Sequence, residues 1–273
     1  MNNITVVFCE GMHDINFISK ILYVYGFKDC NTKLKNFKKP LGILFLNILK
    51  EQKDLEARKI GFNPVYKVPS IALSKDDELV LFHNMGGDDR ISERKEVLEM
   101  YQSLISSEDD FSPFNLKFKF LYFFDADDNP KENRIQHLNS ELNVELNHCE
   151  VVENNGYKWG CYIFHKDENG GNLEDILLEL MRPTNETIFD NAEGFISSNN
   201  FDANQQRQCE YKPHDGTYKQ KQKFKDKKSI ISIAGQLQFS GMSNAVIIGK
   251  SDYITKDDIE SSQVCSDIIK LFS

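Results

Sequence analysis

LYFFDADDNP, residues 121–130, sets five apolar residues against three carboxylates. A turn after a buried strand needs one Asp or Asn, yet Asp125, Asp127, Asp128 and Asn129 crowd into this one. Either the loop is heavily decorated or the carboxylates share a cation. In an extended strand, positions i and i+2 face one way, which sets Asp125 beside Asp127 and turns Asp128 away. Two adjacent carboxylates repel, and one must hold a proton unless a cation lies between them. A hard divalent ion, Mg²⁺ or Mn²⁺, is the natural partner, since it takes oxygen ligands and keeps waters for substrate phosphates. Glu10 ends an earlier apolar run, NITVVFCEG. If the two strand ends are neighbours, Glu10 would join the ion or stand beside it as a proton-transfer group.

The surrounding pattern predicts how those ends are placed. Residues 4–26 read as strand, tight glycine turn and helix, with Ile15, Ile18, Ile21, Leu22 and Tyr25 on one helical face and Gly26 as a stop. ELVLFHNMGG is a second strand ending in Gly86-Gly87, RISERKEVLEMYQSLIS a second helix, and LKFKFLYFF a third strand reaching Asp125. PKENRIQHLNSEL reads as a short helix, VELNHCEVV and KWGCYIFH as two more strands, and GGNLEDILLELM as a strong helix. Residues 28–77 read as an insertion, helical after Pro40, with VYKVPSIALS a loop or an edge strand. Residues 197–228 are polar and read as a loop or arm, and SIISIAGQLQFSGMSNAVIIG as a closing helix pair. Alternating strands and helices predict an α/β fold, a mostly parallel sheet with helices on both faces. Ligand chemistry in such sheets gathers at the carboxyl ends of the strands, which singles out Glu10, Gly86-Gly87 and Asp125-Asp127. The expected division is 1–195, carrying the sheet, and 196–273, the arm and closing helices packed on the same domain.

Composition narrows the function classes. The 273 residues carry a net charge of −9, the wrong sign for passive binding to phosphate backbones. Six cysteines at 9, 30, 149, 161, 209 and 265 form no CxxC pair, which excludes a zinc ribbon and favours buried thiols. With no signal-like N-terminus and no apolar run near the ~20 residues of a membrane span, a soluble cytoplasmic protein without a membrane partner is expected.

VVFCEGMHD followed by FFDADDN resembles the Toprim fold, the metal-binding domain of topoisomerases, primases and OLD-family nucleases. Its signature is a strand-end Glu-Gly and a later Asp-x-Asp, matched by Glu10, Asp125 and Asp127. LFHNMGGDDRI is similar to the second strand of small stand-alone Toprim proteins, GGNLEDILLELM to their Gly-x-Leu-Glu-Asp helix, and DKKSIISIAGQL to their lysine-led closing helix. The resemblance implies two ions, one held by Glu10, Asp125 and Asp127 and a second near Asp14 and Glu174, with Asp175 a further ligand. It also implies Lys227 or Lys228 facing the site as a catalytic cation, and a Toprim-like sheet carrying a helical insertion at 28–77 and a C-terminal helical extension. The activity implied is metal-dependent phosphodiester hydrolysis in DNA or RNA. The partners implied are nucleic acid and an ATPase protein within anti-phage defence; self-association stays open. The gap from Glu10 to Asp125 exceeds that of a minimal Toprim domain, and the insertion accounts for it.

Other candidates weigh less. GGDD at 86–89 reads as a turn with helix N-terminal charge, although Gly86 and Gly87 would let a phosphate approach closely. The lysine run 219–228, with Lys223 inside it and Tyr218 and Phe224 beside it, reads as a solvated face or as a nucleic-acid contact. Trp159 reads as core, and His13 is the one histidine beside the motif. Against the nuclease stands an inactive Toprim scaffold that binds nucleic acid or a protein; a phosphatase or nucleotide hydrolase on the same ions is a third reading.

Overall fold

Ile4 to Cys9 of β1 (Asn3–Cys9) are buried without a break. A strand lacking polar alternation is covered on both faces, and β1 lies at the centre of the sheet. The structure, a computed structural model, describes residues 2–51, 66–87, 89–106, 115–199, 208–212, 217–221 and 226–273. β4 (Glu78–Asn84) and β5 (Lys117–Asp125) flank β1 in parallel, and β7 (Tyr157–Phe164) continues in parallel beyond β5. The edges are antiparallel: β3 (Ile71–Lys75) and β2 (Lys28–Asp29) beyond β4, and β6 (Val151–Asn154) beyond β7. Among the described residues the order is β2-β3-β4-β1-β5-β7-β6. This is the expected α/β architecture, mostly parallel and flanked by helices.

Strand alternation divides the core. Phe118, Phe120, Tyr122 and Phe124 of β5 pack in one cluster with Leu41 and Phe45 of α2 (Leu41–Glu51), Val97 and Tyr101 of α3 (Ile91–Ser106) and Leu138 of α4 (Lys131–Leu142). Phe123 faces the other way, with ring centroids 6.1 Å from Phe272 and 6.2 Å from Phe164. Phe164 in turn meets Phe17 of α1 (Met12–Val24). On that side α1 contacts α9 (Lys256–Ser261) and α10 (Gln263–Lys270).

By internal packing the chain divides into Met1–Leu173 with Lys256–Ser273, and Glu174–Thr255. The second unit holds most of α5 (Leu173–Met181), then α6 (Glu186–Ser198), a hairpin of β8 (Gln208–Lys212) and β9 (Thr217–Lys221), α7 (Asp226–Gln238) and α8 (Asn244–Lys250). Its core is built on Tyr253, whose ring meets Phe189 and Phe239 edge-on and whose hydroxyl donates to the Ala234 carbonyl at 2.7 Å. The 195/196 boundary read from composition lies within α6.

Three segments differ from their sequence reading. Residues 28–77 contain α2 after Pro40 and, in the stretch read as a loop or an edge strand, β3; the unread β2 pairs beyond β3, so that β3 lies inside the sheet rather than at its edge. Of the strand read over 144–152 only Val151 and Val152 enter a ladder, as the start of β6. Upstream, the His148 ring accepts the Ile163 N–H at 3.2 Å and Cys149 adopts φ 62°, so a side chain takes the ladder's place. The polar segment 197–228, read as loop, includes the β8–β9 hairpin. Among the described residues no helix is long and apolar enough to cross a membrane.

Candidate metal centre

β1 and β5 are neighbours with Cys9 opposite Phe123, so Glu10 and Asp125 leave the sheet at the same rim. Glu10 Oε1 accepts the Asp125 N–H at 2.9 Å across 115 residues of chain. The Glu10 carbonyl accepts from Gly86 at 2.9 Å and Gly87 at 3.1 Å, which ties the end of β4 to the same point. Both glycines sit at positive φ, 74° and 134°, where side chains are disfavoured. Their N–H groups are thereby engaged by Glu10.

Asp125 is buried at the end of β5. Its Oδ1 accepts the N–H of Leu173, the first residue of α5, at 2.8 Å, and its carbonyl accepts from Arg134 Nε at 3.1 Å. The strand stops there, and with it the alternation that would set Asp127 beside Asp125. Asp127 turns to φ 54° and exchanges two backbone bonds with Gly171, at 2.9 and 2.8 Å. Its carboxylate, 43% exposed, meets Arg134 Nη2 at 3.4 Å.

Asp14 occupies the first turn of α1, buried, with Oδ2 accepting the Gly11 N–H at 2.8 Å. A carboxylate there satisfies an otherwise unbonded donor and complements the helix dipole. The Cys9 thiol, fully buried, is pushed well above its usual range, first by burial and then by the negative charges of Asp14 and Glu10. Both carboxylates therefore act on the same small volume behind the rim.

Among the described residues no three His, Cys, Asp or Glu side chains stand together as a ready ligand set. Glu10 and Asp125 nonetheless bring two hard-oxygen carboxylates to one rim, where the Glu10 carboxylate is anchored on the Asp125 backbone N–H. Mg²⁺ is commonly held by one or two carboxylates, with waters and substrate phosphates completing its shell. The residues present fit such a two-carboxylate seat, and do not form a preformed cage.

In the second unit Glu174 and Asp175 are buried in the first turn of α5. Lys227 Nζ lies 2.6 Å from Asp175 Oδ1, and Lys228 Nζ 3.3 Å from Glu174 Oε1. The acids and lysines singled out in the sequence thus meet, each buried carboxylate opposite an ammonium. Lys223 and Phe224 lie outside the described residues, as does Asp88.

A family model matches residues 4–272, nearly the whole chain. The chain belongs to the family described as protein of unknown function DUF3226. Among solved structures, hypothetical protein PH0156 from Pyrococcus horikoshii OT3 aligns over 100% of both chains with a TM-score of 0.54 at 16% identity. At that identity the likeness carries the fold alone. No curated protein matches the chain.

The rim of this DUF3226 chain also holds residues that the sequence reading passed over. Arg134 clamps the Asp125–Asp127 turn, and Lys131 Nζ lies 3.1 Å from His165 Nε2. His165 Nδ1 is 2.9 Å from the Ile163 carbonyl, which only accepts, so Nδ1 carries the proton and the Nε2 lone pair faces the ammonium. The neighbouring His148 is lowered to about 4, first by burial and then by His165 and Lys131. A signal existed: Lys131 and Arg134 are three apart on the helix after the acidic turn, and His165 follows a strand ending at the same rim.

Proposed function

We propose that this chain is a divalent-metal-dependent nuclease that hydrolyses phosphodiester bonds in DNA or RNA with Mg²⁺ or Mn²⁺. The observation that carries the reading is the contact between Glu10 Oε1 and the Asp125 N–H, 2.9 Å, at the rim where open α/β sheets place ligands. A bound divalent ion would polarise the scissile phosphate and lower the pKa of the attacking water. Glu10 and Asp125 would hold it, with Asp127 reachable if Arg134 yields. Asp14 fixes the α1 entry and adds to the negative field, and Lys131 offers a cation beside the rim. The Toprim resemblance supports the same chemistry, and extends the proposal to a defence effector working with an ATPase partner.

One observation favours a second reading, a non-catalytic Toprim-like scaffold: Glu174 and Asp175, implied ligands, are each opposite a lysine. The experiment compares wild type, Glu10→Gln and Asp125→Asn on labelled single- and double-stranded DNA and RNA, with Mg²⁺, Mn²⁺ or EDTA. Loss of one ligand should lower cleavage on the order of 10²-fold, since several kcal/mol of charge stabilisation rests on the ion. EDTA should abolish cleavage. Equal cleavage by all three proteins would remove the metal-seat assignment. No cleavage by any of them, with retained binding of nucleic acid, would select the scaffold.

A further inference from the structure

On the α3 face of the sheet, away from the metal seat, a cavity of about 230 Å³ is bounded by α3, the end of α4 and the β6–β7 hairpin. Leu98, Val144, Tyr157 and Trp159 supply apolar and aromatic wall. Tyr122 is fully buried and lines the same space, and its hydroxyl has no hydrogen-bond partner among the described residues. Beside it, Arg94 and Glu141 form a buried bidentate pair, with Nε–Oε1 at 2.9 Å and Nη2–Oε2 at 2.6 Å. The guanidinium also lies 5.0 Å above the Phe124 ring. Beyond this pair a second cavity of about 210 Å³ opens toward Asp89, Arg134 and His137.

We propose that this cavity is a binding site for a neutral planar heterocycle of nucleobase or nucleoside size. Charge decides neutrality. Arg94 and Lys95 are matched one for one by Glu99 and Glu141 along the wall, and a phosphate or a metal ion would have to break the buried pair to enter. Size decides the class. The cavity is smaller than the roughly 300–1,000 Å³ that drug-sized ligands occupy, which leaves room for one ring system with a short polar appendage. The polar end matches a base edge, because the Tyr122 hydroxyl can donate or accept and the Arg94–Glu141 pair presents N–H donors next to carboxylate oxygens. Burial and the Glu141 charge hold the Tyr122 phenol well above its usual range, so it keeps its proton at every working pH. The site stands independently of the proposed nuclease activity and needs no metal.

Trp159 is the chain's single tryptophan and lines the cavity, so its fluorescence reports occupancy directly. The full-length protein is titrated in EDTA with adenosine, guanosine, cytidine, uridine and the corresponding free bases, following Trp159 emission and calorimetric heat. Saturable binding by at least one of them is expected. Tyr122→Phe should weaken it tenfold or more while leaving the unliganded melting midpoint unchanged or raised, because the deleted hydroxyl has no hydrogen-bond partner among the described residues. Val144→Phe, which fills the wall without touching the polar end, should abolish the fluorescence response. The proposal fails if no base or nucleoside saturates the signal. It fails equally if Tyr122→Phe binds like wild type, or if that substitution lowers the unliganded midpoint by several degrees, which would mark the hydroxyl as bonded to resident water.

Discussion

A Cβ built on Gly170 would stand 2.2 Å from the Asp127 carbonyl oxygen and 3.0 Å from that of Asn129, and its φ is 129°. The acidic turn is therefore seated on a backbone that only glycine provides, and the turn's own atoms are what a side chain would strike. Gly156, also at positive φ but with nothing within 4 Å of its Cβ position, isolates conformational strain from collision. Gly170→Ala should cost about 1–3 kcal/mol more than Gly156→Ala, since collision adds to strain. At this chain length that is a shift of several degrees in melting midpoint, with cleavage falling in parallel. Equal midpoints for the two variants would mean that the 170–171 backbone does not hold Asp127 in place.

His83 joins β4 to α3 and to the turn at Tyr66. Its Nδ1 donates to the Tyr66 carbonyl at 2.7 Å from β4, while the Tyr101 hydroxyl of α3 donates to its Nε2 at 2.8 Å. Burial lowers its pKa to about 4. An unfolded histidine titrates near 6.5, so between about 6.5 and 4 the unfolded chain binds a proton that the folded one refuses. Stability therefore rises with pH across that window and is lost as pH falls through it. His148, also lowered to about 4, acts in the same direction. Urea unfolding at a series of pH values should show this slope, and His83→Gln should reduce it by about one proton; an unchanged slope would mean that His83 is not held neutral. Legibility in the sequence follows the same elements. β1, β4, β5 and β7 were readable because strands covered on both faces are unbroken apolar runs, and the meeting of Glu10 with Asp125 followed from the strand-end rule. Asp127 escaped that reading because the two-residue period ends at Asp125, and Asp127 itself takes a left-handed conformation that no periodicity announces. Of the last two helices, α9, at six residues, is too short to show a helical period, whereas α10 buries Cys265 and Ile268 three apart and carries a pattern the reading passed over; β2 has two residues.

Over the whole chain, the net charge of −9 opposes approach of a polyanion, and acidic side chains are concentrated where the proposed substrate would sit. A nucleic acid can then bind only if cations are supplied at that rim, either by divalent ions or by basic segments elsewhere in the chain. The two routes differ in salt dependence. Binding through many lysine–phosphate contacts gives a steep loss with monovalent salt, about 0.9 logarithmic units per phosphate neutralised and per decade of salt on duplex DNA. Binding bridged by an ion or two gives a shallow slope and disappears with the ion. We expect Glu10→Gln, used to suppress cleavage, to bind a labelled duplex weakly in Mg²⁺, and wild type in Ca²⁺ to bind more tightly with a slope of roughly two or less. In EDTA both should lose binding when followed by fluorescence anisotropy between about 50 and 200 mM salt. Tight binding in EDTA with a steep slope would move recognition away from the Glu10–Asp125 seat and onto basic residues elsewhere in the sequence, such as the lysine run 219–228.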